Sequence, residues 1–267
     1  MSTPLEELFL QARKDNRAAL IAYLPAGFPS IPGCKKAITV LAKAGIDAIE
    51  IGFPYSDPVM DGPTIQAAAT IALSAGTGSA ELFSTVEFAH QSGLPVVVMT
   101  YWNPIERYGV REFTQALKRA GGSGVITPDL TIEESTQWQR EISESELNSI
   151  YVVAPSTQPA RLAAVSAQCS GFIYAASLMG VTGVRAGIST GAQDLVERIR
   201  ATSDLPIAVG LGVSTGEQAR QVAGYADGVI VGSALIKVLL DAPDEASGLA
   251  ALAALADELV AGVRAGR

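Results

Sequence analysis

Histidine and cysteine are almost missing from this chain: one His, His90, and two Cys, Cys34 and Cys169, in 267 residues. A single histidine cannot build a multi-histidine metal site. Two cysteines make neither a disulfide framework nor a zinc knuckle. Thiols this sparse suit a reducing compartment, and the opening Met1-Ser-Thr-Pro-Leu-Glu-Glu7 lacks the basic and then apolar regions of a secretory signal. A cytoplasmic location is therefore expected. Positive charge is also in deficit, with 19 Lys and Arg against 27 Asp and Glu and a net charge of −8. That balance argues against nucleic acid or an anionic membrane as the main partner. A small phosphorylated ligand stays open, because backbone N–H groups can hold one phosphate. No apolar run reaches the ~18 residues of a membrane span. The Ala/Leu-rich stretch 249–263 is interrupted by Asp257 and Glu258.

What is present is a core and a repeat. Hydrophobic residues make up 48% of the chain, enough for a sizeable interior and too many for disorder. Short continuous apolar runs, expected as strands, fall at 18–24, 46–52, 95–101, 124–128, 149–154, 171–177, 206–212 and 226–232. Continuous rather than alternating runs suit parallel strands covered on both faces. Helical stretches lie between them, at 32–44, 80–91, 110–120, 132–143, 159–168, 193–202, 216–224 and 246–263. Eight β–α units in about 250 residues fit a closed α/β (β/α)8 TIM barrel. No linker interrupts it, so residues 1–267 are expected to form one domain. An extra N-terminal helix at 3–14 and added helical material at 63–75 decorate it. An open doubly wound sheet is the alternative. Pro25-Ala-Gly-Phe-Pro29 after the first run is not the glycine fingerprint such a sheet often carries.

A barrel of this kind works at the C-terminal ends of its strands. The second run ends Glu50-Ile-Gly52 and leads into Phe53-Pro-Tyr-Ser-Asp57-Pro58-Val-Met-Asp61-Gly-Pro63. A glutamate inside an apolar run is costly to ionise, which tunes it toward general acid/base work; a structural ion pair is the alternative. Asp61 can pair with it at the mouth, or can serve as a turn former or helix cap with Thr64. Gly210-Leu-Gly212-Val-Ser-Thr-Gly216 and Val231-Gly232-Ser233-Ala234 close the last two units. Such glycines and helix N-termini make a phosphate cradle. The capping-box spacing of Ser214 and Glu217 offers plain helix capping as the other reading. The Gly-rich segment 177–191 suits a lid with Gly hinges, or a bland loop. None of Lys14, Lys35, Lys36, Lys43, Lys118 and Lys237 ends a strand, which argues against a Schiff-base aldolase. His90 is expected on the opposite face, complementing a helix dipole. No metal cluster is visible.

The run Glu50-Ile-Gly-Phe-Pro-Tyr-Ser-Asp-Pro-Val-Met-Asp-Gly-Pro-Thr-Ile-Gln66 closely resembles the signature of the tryptophan synthase α-subunit family. Met99-Thr-Tyr-Trp-Asn-Pro-Ile105, Gly180-Val-Thr-Gly183, Gly210-Leu-Gly212 and Val231-Gly-Ser-Ala234 match it in the same order. The resemblance implies a lyase of tryptophan biosynthesis that cleaves indole-3-glycerol phosphate to indole and glyceraldehyde 3-phosphate. It implies Glu50 and Asp61 as the catalytic pair, and Gly183, Gly212, Gly232 and Ser233 as phosphate ligands with Thr182 beside them. Tyr174 and Tyr23, the latter where the family often has Phe, fall on the indole pocket. Leu178 and Met179 depart from the family's usual Arg-Ala. No cofactor is implied for this chain. Pyridoxal phosphate belongs to the β-subunit partner, expected in an α2β2 hetero-tetramer that receives indole through a tunnel and meets Asp57 and Pro58. Two other functions remain at this level: a silent subunit that only binds a phosphorylated ligand, and another phosphate-binding barrel such as a sugar-phosphate isomerase.

Overall fold

A computed structural model describes residues 2–176, 190–210 and 212–267. Its strands are β1 (Ala19–Pro25), β2 (Ala48–Gly52), β3 (Val96–Met99), β4 (Gly124–Ile126), β5 (Asn148–Ile150), β6 (Val152–Val153), β7 (Ile173–Ala176), β8 (Ile207–Gly210) and β9 (Gly228–Val231). The helices are α1 (Pro4–Lys14), α2 (Ile31–Ala44), α3 (Pro63–Ser74), α4 (Ser79–Gln91), α5 (Trp102–Tyr108), α6 (Val110–Arg119), α7 (Thr136–Glu144), α8 (Pro159–Ser166), α9 (Thr190–Arg200), α10 (Gly216–Ala223), α11 (Ser233–Leu240) and α12 (Glu245–Arg264).

Every strand pairing is parallel, in the order β5-β4-β3-β2-β1-β9-β8-β7-β6. The two ends of that order are consecutive pieces of chain separated only by Tyr151. They form one stave, and the sheet is an eight-stave TIM barrel. The single run expected at 149–154 breaks because its first half pairs with β4 and its second with β7. Two short helices, α5 and α11, had no counterpart in the sequence reading. The helix expected from residue 132 begins only at Thr136.

Strand parity divides the core in two. Ala19, Ile21, Ala48, Val97, Ile126, Ile150, Ala208 and Ile230 fill the barrel interior. The intervening residues, such as Leu20, Ile49, Val98 and Val229, pack outward against the helices. The expected extra helix is α1, and it plugs the bottom of the barrel with Leu5 and Phe9. Thr3 starts it with a capping box: its hydroxyl accepts the Glu6 N–H, and the Glu6 carboxylate accepts the Thr3 N–H. Buried Asn148 accepts from the Thr3 hydroxyl at 2.5 Å and donates to Glu6 at 2.7 Å, which pins this helix start to β5. With the lower end closed, the opposite mouth is left for a ligand.

Helix α12 is long and apolar enough to cross a membrane by length and composition. Here it lies on the barrel, burying Leu252, Ala256, Leu259, Val260 and Val263. It crosses α10 closely: a Cβ on Gly262 would stand 2.1 Å from the Gly216 carbonyl oxygen. At that crossing the Glu258 carboxylate accepts the Gly216 N–H at 2.7 Å.

Candidate active site

β2 has only five residues, and its parity decides the orientation of Glu50. Ala48 points into the barrel, so Glu50 does too, with Tyr23 of β1 and Val97 of β3 as its register partners. The side chain is 2% exposed, and its Oε2 has no hydrogen-bond partner. Among the described residues no Lys or Arg forms a salt bridge with it, so the ion-pair reading fails. Burial, reinforced by the negative charge of Asp61, pushes its pKa up to about 8.

Asp61 sits at the end of the β2–α3 loop, one residue before the N-cap Gly62 of α3. No side chain caps that helix, so neither Asp61 nor Thr64 plays the capping part open to it in the sequence. The Asp61 backbone carbonyl accepts from Gln66 at 2.8 Å, while its carboxyl shares a cavity with Glu50. Burial raises the Asp61 pKa, and hydrogen bonding to the Tyr101 hydroxyl draws it back down. The two carboxyls therefore occupy different environments, the condition for one to hold a proton while the other is ionised.

The cavity measures about 170 Å³ at the C-terminal mouth. Its lining includes Tyr23, Glu50, Asp61 and Tyr174 together with Gly212, Gly232 and Ser233. Glycines make room for the two phenols: a Cβ on Gly52 would lie 2.2 Å from the Tyr23 hydroxyl, and one on Gly210 would lie 2.3 Å from that of Tyr174. Burial, with the nearby carboxylates, raises both phenol pKa values, so both hydroxyls keep their protons. Met99, Ile126, Val152 and Ile230 complete an apolar wall suited to a flat ring. The sequence reading did not single these four out, although strand parity could have found them as the last inward positions of their staves.

The two candidate anion-binding helices differ. At α10, Thr215 is the N-cap and accepts the Gln218 N–H, Gln218 accepts the Ser214 N–H at 2.8 Å, and Glu258 takes Gly216. The capping pair is thus Thr215 and Gln218, one residue on from the expected Ser214 and Glu217, and this N-terminus is occupied. At α11 the N-cap Gly232 brings no side-chain cap, and Ser233 lies at the cavity. Among the described residues, no side chain occupies this helix start where it meets the cavity. A Cβ on Gly212 would meet nothing within 4 Å.

Asp57 is exposed on the loop after β2, with its carboxylate accepting from Ser56 at 2.5 Å; neither it nor half-buried Pro58 lines the cavity. Thr182, Gly183, Leu178 and Met179, with most of the expected lid, lie outside the described residues. His90 falls in the last turn of α4 beside Gly121, away from the cavity, as expected. No group of metal-ligating side chains occurs among the described residues.

The profile of one family, tryptophan synthase alpha chain, matches residues 9–264. The chain belongs to the tryptophan synthase alpha chain family. The tryptophan synthase alpha chain of Streptomyces avermitilis is 56% identical over 263 residues, covering 98% of this chain and 95% of the relative. That of Streptomyces coelicolor is 54% identical, with 97% and 96% covered. A solved tryptophan synthase from M. tuberculosis superposes with a TM-score of 0.91 at 48% identity, covering 99% of this chain and 100% of that one. A chain of the Pyrococcus furiosus tryptophan synthase α2β2 complex gives 0.86 at 35% identity, covering 91% and 98%. As a tryptophan synthase alpha chain, the molecule is a carbon–carbon lyase of tryptophan biosynthesis that cleaves indole-3-glycerol phosphate to indole and glyceraldehyde 3-phosphate.

Proposed function

We propose that Glu50 and Asp61 divide the proton chemistry of this cleavage between them. The observation that carries the reading is Glu50 itself: buried, unpartnered at Oε2, pushed to a pKa of about 8 and facing the same cavity as Asp61. Near neutral pH it holds a proton. Glu50 gives that proton to indole C3, which turns the ring into an indolenine cation. Asp61, as carboxylate, stabilises the positive charge that develops toward N1–H. The bond from C3 to the glycerol chain then breaks, and its electron pair returns to the ring. The glycerol hydroxyl on the leaving carbon gives its proton to Glu50 and becomes the aldehyde. Glu50 ends protonated, ready for another turnover.

A pH profile tests this division. For the isolated chain kcat/KM should fall above about pH 8, as Glu50 loses its proton, and fall again on the acid side as Asp61 gains one. A profile that rises steadily through pH 8 contradicts an acid role for Glu50.

Tyr23 and Tyr174 line the indole end of the cavity, and Gly212, Gly232 and Ser233, with Thr182 and Gly183, hold the phosphate. The uncapped start of α11 supports the phosphate assignment. Gly212→Val should raise KM about tenfold or more, because its side chain enters the open space where the phosphate sits and removes remote binding energy. Unchanged KM removes Gly212 from the cradle.

The chain works in the cytoplasm, a place its two free cysteines suit, with a β subunit in an α2β2 assembly. The pyridoxal phosphate is the β subunit's, and indole passes to it through a tunnel. The loop with exposed Asp57 and half-buried Pro58 is the partner contact; it links the end of the strand that carries Glu50 to Asp61 and can couple docking to catalysis. Asp57→Ala should therefore cut activation by the β subunit severalfold and leave the free chain's KM unchanged. Full activation of the variant takes Asp57 out of that coupling.

A further inference from the structure

Asp61 stands on a loop, and a loop carboxylate does not stay at a fixed point unaided. Tyr101, at the C-terminal end of β3 and the N-cap of α5, is 3% exposed. Its hydroxyl accepts the Met60 N–H at 3.1 Å, the residue directly before Asp61. Its ring lies 5.4 Å from that of Tyr55, from the same β2–α3 loop. The Tyr55 hydroxyl in turn accepts from Asn103 of α5 at 2.8 Å. The start of α5 is tied on its other side, because the Trp102 N–H donates to Asp129 at 2.9 Å. A loop from one stave is thus clipped at two points to the end of the next.

We propose that Tyr101 is a positioning residue for the cleavage, whose hydroxyl holds Met60 and the neighbouring Asp61 carboxyl at the indole end of the cavity. The proposal rests on the reading of Asp61 as the charge stabiliser. One hydroxyl serves both ends of the contact. As an acceptor it fixes the Met60 backbone; as a donor it favours the ionised form of Asp61. The phenol remains a donor throughout the working range, since burial pushes its pKa up to about 12. The other titratable groups that share this charge environment are Glu50 from β2, Tyr23 from β1 and Tyr174 from β7. None is cationic, so the Tyr101 hydroxyl is the contact that favours a charged Asp61 among them.

The test is Tyr101→Phe, which keeps the ring against Tyr55 and removes only the hydroxyl. It is assayed with the β subunit present, beside Asp61→Asn and the double variant. The expected result is a fall in kcat of about tenfold, the scale of one hydrogen bond to a charged group, with KM within about twofold. The acid limb of the pH profile should move to higher pH, because Asp61 has lost the contact that favours its charge. The double variant should be no slower than Asp61→Asn alone. A purely structural Tyr101 leaves the acid limb in place and adds its loss to that of Asp61→Asn; either outcome overturns the proposal. If Asp61→Asn alone retains normal turnover, the reading of Asp61 has failed, and the proposal falls with it by a separate measurement.

Discussion

Glu50→Gln should lower turnover at least ~10²-fold, the usual worth of a general acid/base group, with substrate affinity little changed. Glutamine keeps the size and the hydrogen-bonding capacity of the side chain and removes the proton that C3 needs. The same substitution should stabilise the fold at alkaline pH. The Glu50 carboxyl has a pKa of about 8 in the folded chain against an ordinary 4.5. The folded state therefore binds the extra proton, and stability declines as pH rises from the lower value to the higher. At about 1.4 kcal/mol per unit, the burden above pH 8 is on the order of 5 kcal/mol. Glu50→Gln should thus melt well above wild type at pH 9 and level with it near pH 4. Near-normal indole release in a single-turnover assay with the β subunit would overturn the assignment of Glu50, as would equal melting at pH 9.

Asp61→Asn should also reduce turnover by ~10²-fold or more, on the scale seen when one preorganised charge stabiliser is lost, but for another reason. Asparagine leaves an oxygen facing N1–H and takes away the charge that the indolenine cation needs. The ground state is neutral at the ring and should still bind, so substrate should accumulate on the variant. The Glu50→Gln, Asp61→Asn double variant should lose much less than the product of the two single losses, because both groups serve one proton-coupled bond cleavage. Strictly multiplicative losses would mean that the two carboxyls act in separate steps.

How much of this was legible in the residues depends on the scale of the feature. The barrel was, since eight continuous apolar runs alternating with helical stretches have few other solutions. Glu50 was too, as a carboxylate in a strand interior is conspicuous and parity turns it toward the mouth. Asp61 was not legible without the family resemblance. A loop aspartate before Gly-Pro reads equally well as a cap, and only the tertiary placement of its carboxyl beside Glu50 decides between them. The split at Tyr151 was hidden because it reflects a change of pairing partner, which local composition does not record. Helix α11, only eight residues long, was absorbed into the turn after the last run. Capping at the start of α10 was legible to within one residue, but the Glu258 carboxylate that also takes the Gly216 N–H was not, because it lies 42 residues away in sequence. Tyr101 escaped for the same reason: its contacts with Met60 and Tyr55 span 41 and 46 positions.

The account turns on one carboxyl holding its proton while its neighbour is ionised. Infrared difference spectroscopy of wild type against Glu50→Gln, titrated from pH 5 to 10, reads that state directly. A protonated-carboxyl band present only in wild type, full at pH 6 and lost with a midpoint near 8, is the result predicted. A Glu50 already ionised at pH 6, with no such band to lose, would contradict it.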